Sequence, residues 1–249
     1  RVYASNGDLI AEYAIEKRLF IPYDVIPKPI INAFLSAEDK NFFNHPGIDP
    51  GGIIRAVINN FKNIVNNKRL EGASTITQQV AKNFLLTNEV SIKRKIKEAI
   101  LAFRIEKAYS KERILELYLN QIYLGSGTYG VAAASLEYFD KSVKELNYSE
   151  VALLAALPKA PSKYNPFKFY EEAKLRRNLV LQNLNENNFI NNSELEKYKL
   201  EEINLKKRKI KLLKEANYYT EEIRRIIKKN YGYDKLYAAG FSIKAALDV

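Results

Sequence analysis

The chain has 249 residues, of which 47% are apolar and 12% are aromatic. Its 40 Lys and Arg residues outnumber 29 Asp and Glu residues, which gives a formal net charge of +11 at pH 7. This composition is typical of a folded domain and excludes a disordered tail. The chain has no cysteine and a single histidine. These counts exclude a disulfide scaffold, a zinc ribbon, a thiol nucleophile and a multi-histidine metal site.

Two features indicate a piece of a longer protein. The chain contains no methionine, so Arg1 is not a translation start. The longest uninterrupted apolar run, residues 151–157, is far shorter than the roughly 20 residues that span a bilayer. We therefore expect any membrane anchor to lie outside this sequence.

The N-terminal residues predict a small β-hairpin. Residues 2–4 and 9–13 flank the pair Asn6-Gly7, and this pair tolerates the positive φ angles of a tight turn. Several prolines then separate the hairpin from a stretch that we predict to be mostly helical as far as about Arg177.

Two segments carry apolar side chains at the three-and-four spacing of one helix face. In residues 53–65 these side chains are Ile54, Val57, Ile58, Phe61, Ile64 and Val65. The same spacing recurs at Ile92, Ile96, Ile100 and Phe103. Further along, Ser110 and Ser149 occupy positions typical of helix N-caps.

The composition changes after about residue 200. Residues 241–247 begin with alternating apolar and polar side chains after Gly240, which predicts a strand with no partner left in the chain. We therefore interpret residues 1–215 as one domain, and residues 216–249 as a connector and first strand toward a domain that this sequence lacks.

Four segments are rich in polar residues within apolar surroundings, and the first is residues 37–49. Glu38 and Asp39 follow an apolar stretch and precede an aromatic pair. A Glu at the end of an apolar helix can be desolvated, which raises its pKa toward the range of a general base. The plainer alternative is an ordinary acid pair at a helix end. We expect His45, which precedes Pro-Gly, to make a local hydrogen bond in a turn.

The second and third segments combine helix ends with charge. Thr75 and Gln78 fit a capping box, and a helix N-terminus suits a phosphate, although a plain capped helix is equally consistent. Arg94, Lys95 and Glu98 can share one helix face. They are either a weak surface ion pair or a carboxylate held beside cations that neutralise an anionic leaving group.

The fourth segment, residues 125–130, has the sequence GSGTYG and formally matches a dinucleotide fingerprint. That motif requires a preceding strand, whereas the residues before it predict a helix. We therefore expect these glycines to end the helix and to let two backbone segments approach closely.

Together these segments resemble the glycosyltransferase domain of class A, bifunctional penicillin-binding proteins and of monofunctional peptidoglycan glycosyltransferases. The resemblance covers roughly residues 1–200 and rests on five motifs in order: EDKNFFNHPGID, GASTITQQVAKN, RKIKE, ILELYLNQIYLGSGTYGVAAAS and LPKAPSKYNP. The C-terminal segment is similar to the connector toward a transpeptidase domain. Beside the hairpin, the resemblance implies a mainly α, lysozyme-like fold with two lobes around a cleft.

The resemblance also implies an activity and its partners. Such an enzyme polymerises lipid II into β-1,4 glycan strands with inversion, and undecaprenyl pyrophosphate leaves. The implied partners are lipid II, the growing glycan strand, the outer face of the bacterial cytoplasmic membrane, an N-terminal membrane anchor and a C-terminal transpeptidase domain. No nucleic acid is implied. A phosphoglycolipid inhibitor such as moenomycin is expected to bind.

The resemblance assigns roles to particular residues. Glu38 is the expected general base, which takes the proton of the acceptor hydroxyl. Glu98 matches the family's second essential Glu, and it either orients Lys95 or helps to hold a divalent metal, Mg or Mn, at the pyrophosphate. No organic cofactor is implied. The predicted substrate-binding residues are Lys82, Arg94, Lys95, Ser74, Thr75, Gln78, Gln79, Asn83 and Asp39. One departure is Val90, which stands where family members usually carry an Arg.

The amphipathic segment 53–65 gains a second interpretation from this resemblance. A core-facing helix is the ordinary expectation. A lipid-linked substrate favours instead a helix that enters the membrane interface, with contacts from Ile54, Val57, Ile58 and Phe61. The net charge of +11 favours anionic lipid surfaces.

Three other functions compete with this one. A lytic enzyme of the same fold would need one protonated Glu and no pyrophosphate site, so the group of Lys82, Arg94, Lys95 and Glu98 argues against it. A nucleic-acid binder is suggested only by the pI of about 9.5 and has no recognisable motif here. A non-catalytic scaffold would tolerate the loss of Glu38.

Overall fold

A computed structural model describes residues 2–7, 9–11, 17–65, 72–85, 91–206, 217–232 and 242–247. This part of the chain is mainly helical, as predicted. Its helices are α1 (Lys28–Glu38), α2 (Pro50–Val65), α3 (Ile76–Leu85), α4 (Ile92–Ala108), α5 (Lys111–Gln121), α6 (Val131–Phe139), α7 (Tyr148–Ala156), α8 (Tyr170–Glu186), α9 (Asn192–Leu200) and α10 (Asn217–Tyr231). Its strands are β1 (Val2–Tyr3), β2 (Leu9–Ala11), β3 (Lys17–Arg18), β4 (Thr128–Tyr129) and β5 (Ile243–Lys244).

The N-terminal hairpin is confirmed. Strands β1 and β2 pair antiparallel, with Val2 opposite Ala11. Strand β5 then pairs parallel with β1, so that Val2 also lies opposite Ile243. The prediction that the C-terminal strand has no partner is therefore wrong. Its partner is β1, at the other end of the chain. The alternating pattern of residues 241–247 predicts a strand but does not indicate which distant strand it pairs with.

A small separate core holds the two chain ends together. It consists of the buried side chains of Val2, Ala4, Ile10 and Ala245, and residues of α10 pack against it. The N-terminal hairpin thus packs with residues that we assigned to the connector. The boundary at residue 215 stays a prediction.

The main core forms around α7. Residues 151–157, the longest apolar run, are all buried, and α7 packs against α1 and α8. A helix that is apolar on every side is stable only when protein surrounds it, which is the situation of α7. This packing holds the end of α1 next to one face of α8.

The two predicted N-caps have different outcomes. Ser110 caps α5, and its side chain accepts a hydrogen bond from the backbone N–H of Arg113. Ser149 lies inside α7, whose cap is Asn147, so that prediction is wrong. Its hydroxyl instead accepts a hydrogen bond of 2.8 Å from the guanidinium of Arg177.

Arg177 is fully buried and joins three helices. Besides Ser149 on α7, it donates to the backbone oxygens of Lys199 and Glu201 at 2.9 and 2.7 Å. These oxygens lie at the C-terminal end of α9, where the helix dipole favours a positive charge. The single side chain therefore connects α7, α8 and the end of α9.

The glycine-rich segment 125–130 follows α5 but does not end it: the helix already ends at Gln121 with the extended residue Ile122 as its C-cap, so that part of the prediction is wrong. The backbone N–H of Gly130 donates to the oxygen of Ile122 at 2.8 Å. A Cβ on Gly130 would lie 2.6 Å from the backbone oxygen of Asn120. The close approach of two backbone segments is thereby confirmed.

A second close approach seats the loop after α1 on α4. Gly47 has φ +102°, and a Cβ at this position would lie 2.9 Å from the backbone carbon and oxygen of Ala102. Backbone atoms cannot move aside as a flexible side chain can. Only glycine therefore fits this contact, which sets the path of residues 42–47 beside the cleft described below.

We expect Gly47→Ala to lower the free energy of unfolding by about 2–4 kcal/mol, because backbone strain and a steric clash add together. Gly7→Ala is the matched control, since Gly7 has φ +92° and a Cβ added there would meet no atom within 4 Å. Strain alone should cost about 1 kcal/mol there. Urea denaturation followed by circular dichroism measures both, and equal losses would contradict the close contact with α4.

Candidate active site

A cleft of about 500 Å³ opens between the end of α1, one face of α2, residues 72–75 and one face of α8. Its charged and amide lining residues are Glu38, Asp39, Lys40, Asp49, Arg55, Asn59, Lys159, Arg176, Asn183, Glu186 and Asn187. Such a mixed polar lining suits a polar ligand that carries both hydroxyl groups and negative charge.

Glu38, the last residue of α1, is half-buried in this cleft. Its Oε2 accepts a hydrogen bond of 2.8 Å from Nε2 of Gln79. Burial raises the pKa of the Glu38 carboxyl above its usual value, although the Gln79 hydrogen bond and the charges of Arg176 and Lys159 act in the opposite direction. A desolvated carboxylate with a raised pKa is a stronger proton acceptor than an exposed one.

Asp39 holds the end of α1 against the start of α3. Its buried carboxylate accepts a hydrogen bond of 2.9 Å from the backbone N–H of Ile76, the first residue of α3. Nε2 of His45 lies 3.0 Å from both carboxylate oxygens. Since the N–H of Gly47 donates to Nδ1 of His45, Nε2 carries the proton and donates it to Asp39. The local role predicted for His45 is confirmed, and Asp39 lines the cleft while accepting from protein donors.

Thr75 and Gln78 form the predicted capping box at the start of α3. The N–H of Thr75 donates to Oε1 of Gln78 at 3.0 Å, and the N–H of Gln78 donates to Oγ1 of Thr75 at 3.1 Å. The Thr75 hydroxyl also donates to the oxygen of Gly47 at 2.6 Å. Both side chains are buried, so their contacts stabilise the first turn of α3. The next residue, Gln79, donates to Glu38.

The third segment brings its charges to the edge of the cleft. Nζ of Lys95 donates to Oγ of Ser74 at 2.6 Å and also pairs with Glu98. The Arg94 guanidinium lies 3.7 Å from the same carboxylate. Glu98 is only 2% exposed whereas the Lys95 side chain is 48% exposed, so the pair joins a buried carboxylate to a half-exposed cation and is not a simple surface ion pair. Ser74 lines the cleft, and through it the cluster meets the site of Glu38.

Two other predicted residues lie further along α3. Lys82 and Asn83 are exposed, one turn beyond Gln79, and neither is among the cleft-lining residues of the described chain. Their assignment as substrate-binding residues stays a prediction. Val90 lies outside the described residues.

The family model that matches this chain is that of the transglycosylases, over residues 6–185. The chain belongs to the transglycosylase family. This membership confirms the resemblance inferred from the motifs and, with it, the broad class of peptidoglycan glycosyltransferase.

Three curated relatives of this transglycosylase carry the name penicillin-binding protein 1A. The protein from Rickettsia typhi is 48% identical over 249 residues, which are 100% of this chain and 32% of the relative. The protein from Aquifex aeolicus is 47% identical over 231 residues, which are 93% and 31%. The protein from Neisseria cinerea is 44% identical over 242 residues, which are 97% and 30%. The chain thus spans about a third of the length of these relatives.

A solved structure supports the same fold. The crystal structure of penicillin-binding protein 1A from Haemophilus influenzae superposes with a TM-score of 0.57 and 27% identity, covering 98% of this chain and 26% of that one. The mainly α, lysozyme-like fold that we predicted is confirmed.

Sequence reasoning missed two cations of the transglycosylase cleft. Lys159 and Arg176 both line it, and both act on the pKa of Glu38. Lys159 belongs to the motif LPKAPSKYNP. The motif supported the family resemblance, but we assigned no function to this lysine. Arg176 lies on α8, in a stretch that carries no motif.

A hydrogen-bond network around the loop that carries His45 was also missed. Nζ of Lys111 donates to Glu106 at 2.7 Å and to the oxygen of His45 at 2.6 Å. Glu106 in turn accepts a hydrogen bond of 2.5 Å from the hydroxyl of Thr77. The network joins α3, α4, α5 and the loop that carries His45. Lys111 and Glu106 are near in sequence, but the contacts of Lys111 with His45 and of Thr77 with Glu106 join distant residues and leave no local signal.

The residues around Glu98 do not fit a divalent cation. Within the described chain, no three His, Cys, Asp or Glu side chains converge. The Glu98 oxygens face Lys95 and Arg94. The two positive side chains would repel a divalent cation at the same carboxylate. We therefore assign no chemical step to a metal, and the Mg or Mn ion stays a prediction from the resemblance.

Helix α2 has two distinct faces. Gly52, Arg55 and Asn59 line the cleft, whereas Ile54, Val57 and Ile58 are 62%, 51% and 52% exposed. The core-facing alternative is thus wrong for these three residues. The side chain of Phe61 lies outside the described residues.

Helix α4 carries a comparable apolar stripe. Its members, Ile92, Ile96, Ile100 and Phe103, are all exposed. In the part of the chain that the structure covers, no helix combines the length and apolar character needed to cross a bilayer.

The raised pKa of Glu38 makes a prediction about stability. A carboxyl whose pKa is higher in the folded than in the unfolded protein stabilises the fold only while protonated, and this contribution is lost as pH rises through the folded pKa. We therefore expect Glu38→Gln to unfold at a higher temperature than the wild type at pH 7. The difference should shrink as pH falls below the folded pKa. Calorimetry between pH 4 and pH 8 measures it, and a difference that grows in acid would contradict the desolvation of Glu38.

Proposed function

We propose that this transglycosylase domain polymerises lipid II into β-1,4 glycan strands, with Glu38 as general base and undecaprenyl pyrophosphate as leaving group. The observation that carries the proposal is the position of Glu38: half-buried, bonded to Gln79, and in one cleft with Lys159, Arg176 and Ser74, the last of which accepts a hydrogen bond from Lys95. A base and an anion-stabilising group on one cleft are the two requirements of this reaction.

The first requirement concerns the attacking sugar. The 4-hydroxyl of the acceptor is a poor nucleophile at neutral pH unless a base takes its proton. Glu38 receives that proton while the hydroxyl oxygen bonds to the anomeric carbon of the donor. The bond from this carbon to the pyrophosphate oxygen breaks on the opposite side, so the configuration inverts. The raised pKa of Glu38 supports its role as the acceptor.

The second requirement concerns the leaving group. Negative charge accumulates on the pyrophosphate as the bond breaks, and fixed cations lower the energy of that state. Lys95 and Arg94 supply such charge, with Lys82 further along α3. The buried carboxylate of Glu98 pairs with Lys95 and so orients its ammonium toward Ser74. This pairing supports an orienting role for Glu98.

A lipid-linked substrate places the reaction at a membrane surface. The polar face of α2 lines the cleft while its apolar face is exposed, so a single helix can border the site and contact lipid. The exposed stripe of α4 is suited to the same contact. The outer face of the bacterial cytoplasmic membrane, a membrane anchor and a transpeptidase domain in the longer protein complete the proposal.

Incubation of the purified chain with lipid II tests the proposed reaction. We expect the wild type to produce polymeric glycan and Glu38→Gln to lose the activity, by a factor of about 100 or more, because the proton acceptor is removed. The matched control is Glu196→Gln, which removes an exposed acid on α9 that pairs with Lys199. Gel electrophoresis of the products measures the polymer.

Other outcomes separate this function from its rivals. Release of fragments from finished glycan, with no polymer from lipid II, would identify a lytic enzyme. Full polymerisation by Glu38→Gln would show that Glu38 is not the general base, although the chain would still be a glycan-polymerising enzyme. Addition of Mg²⁺, Mn²⁺ or a chelator in the same assay tests the metal.

Binding to vesicles tests the membrane contact. Replacement of Ile54, Val57 and Ile58 by Ser should weaken flotation with phosphatidylglycerol vesicles by about tenfold or more, because exposed apolar area is lost. The control is the double variant Leu175→Ser/Leu200→Ser, which removes comparable exposed side chains from α8 and α9. Equal loss in both variants would show that the contact is unspecific.

A further inference from the structure

Tyr118 on α5 is a buried residue whose polar atom has no use in the reaction described so far. It is only 1% exposed, and its hydroxyl has no hydrogen-bond partner in the described chain. A buried hydroxyl without a partner costs more free energy than an ordinary hydrogen bond gains on balance. Native proteins seldom keep one without a reason.

A second buried tyrosine shows the ordinary arrangement. Tyr138 on α6 is also fully buried, and its hydroxyl donates to the backbone oxygen of Leu124 at 2.8 Å. The same fold therefore satisfies one buried phenol with protein and leaves the other unpaired. Burial alone does not account for the difference.

The ring of Tyr118 lies against α1 below Glu38. It makes an edge contact with Phe34, with ring centroids 6.2 Å apart. Phe34 and Glu38 are four residues apart, on one face of the helix. Burial, together with the negative charges of Glu38 and Asp39, raises the pKa of Tyr118 well above its usual value. The phenol is therefore protonated at all relevant pH values and lies within electrostatic reach of both carboxylates.

Of these two carboxylates, Glu38 is the one with an oxygen that no protein donor contacts in the described chain. The Asp39 oxygens accept from His45 and from the N–H of Ile76. Glu38 accepts one bond on Oε2, from Gln79, and within the described chain its Oε1 receives no hydrogen bond from protein. A buried donor without an acceptor thus lies below a cleft-lining carboxylate that has an oxygen without a protein donor.

We propose that Tyr118 is a positioning residue for the general base: its hydroxyl donates to the Glu38 carboxylate when the cleft holds substrate. Catalytic hydrogen bonds are often long in a free enzyme and shorten in the complex. The phenol keeps its own proton throughout, and the proton of the attacking hydroxyl goes to Glu38. Tyr118 orients the carboxylate and favours its ionised form. This inference rests on the proposed function.

The pH dependence of kcat for Tyr118→Phe tests the inference. The groups that face Glu38 are Asp39, Gln79, Lys159, Arg176 and Tyr118, and the substitution changes only the last. Loss of a donor to the ionised form raises the pKa of Glu38. We therefore expect the acid limb of kcat to move to higher pH and kcat at pH 7 to fall by about tenfold, with KM nearly unchanged. The melting temperature should be unchanged or higher, since an unpaired hydroxyl is removed.

Tyr138→Phe is the matched control. It removes a phenol that has a protein acceptor, so it should lower the melting temperature and leave the acid limb in place. A Tyr118→Phe variant with wild-type kcat and an unmoved acid limb would overturn the inference alone. A wild-type chain that makes no polymer, or a Glu38→Gln variant that keeps its rate, would overturn the proposed function and this inference with it.

Discussion

The site depends on one buried carboxylate that joins two helix ends. Asp39 terminates α1 and accepts hydrogen bonds from the first N–H of α3 and from His45. Because Glu38 precedes Asp39 directly, this junction brings the end of α1 within reach of Gln79 on α3. The Gly47 turn sets the position of His45, since its N–H donates to the imidazole and its backbone meets α4. The geometry of the proposed base is therefore fixed by groups that have no part in the chemistry themselves.

Around this junction the fold separates two kinds of surface on a single helix. Helix α2 presents Arg55 and Asn59 to the cleft and keeps Ile54, Val57 and Ile58 exposed. An amphipathic helix normally buries its apolar face in the core. Here the arrangement is reversed, with the polar face inward, because the interior that α2 borders is a polar cleft. A lipid-linked sugar likewise has a polar head of sugars and phosphate and an apolar chain, so the two faces of α2 match its two parts.

Local signals predicted what local contacts determine. The capping box of Thr75 and Gln78, the cap at Ser110 and the pairing of Lys95 with Glu98 all join residues three apart, so their spacing is legible in the sequence. The assignment of Ser149 failed because Asn147, two residues earlier, competes for the same helix end. The partner of β5 and the contact of Lys111 with His45 join residues far apart in the chain, and no periodicity records them. The family motifs identified Glu38 and Glu98, whereas Arg176 reaches the cleft only through the packing of α8 on α1 and α7.

The distribution of unpaired polar atoms sets the cleft apart from the rest of the fold. Elsewhere, buried polar groups are satisfied: Arg177 by backbone oxygens and Tyr138 by the oxygen of Leu124. In the described chain, the buried side-chain atoms without a partner are Nε of Arg94, Nε of Arg176 and the hydroxyl of Tyr118. The first belongs to the cluster at the cleft edge, the second to the cleft lining and the third to the ring below Glu38. Together with the desolvated carboxyl of Glu38, they concentrate unfavourable free energy at one place, which is a feature of functional sites. Under the proposed function, the hydrogen-bonding capacity of those atoms is held for the reaction in this cleft.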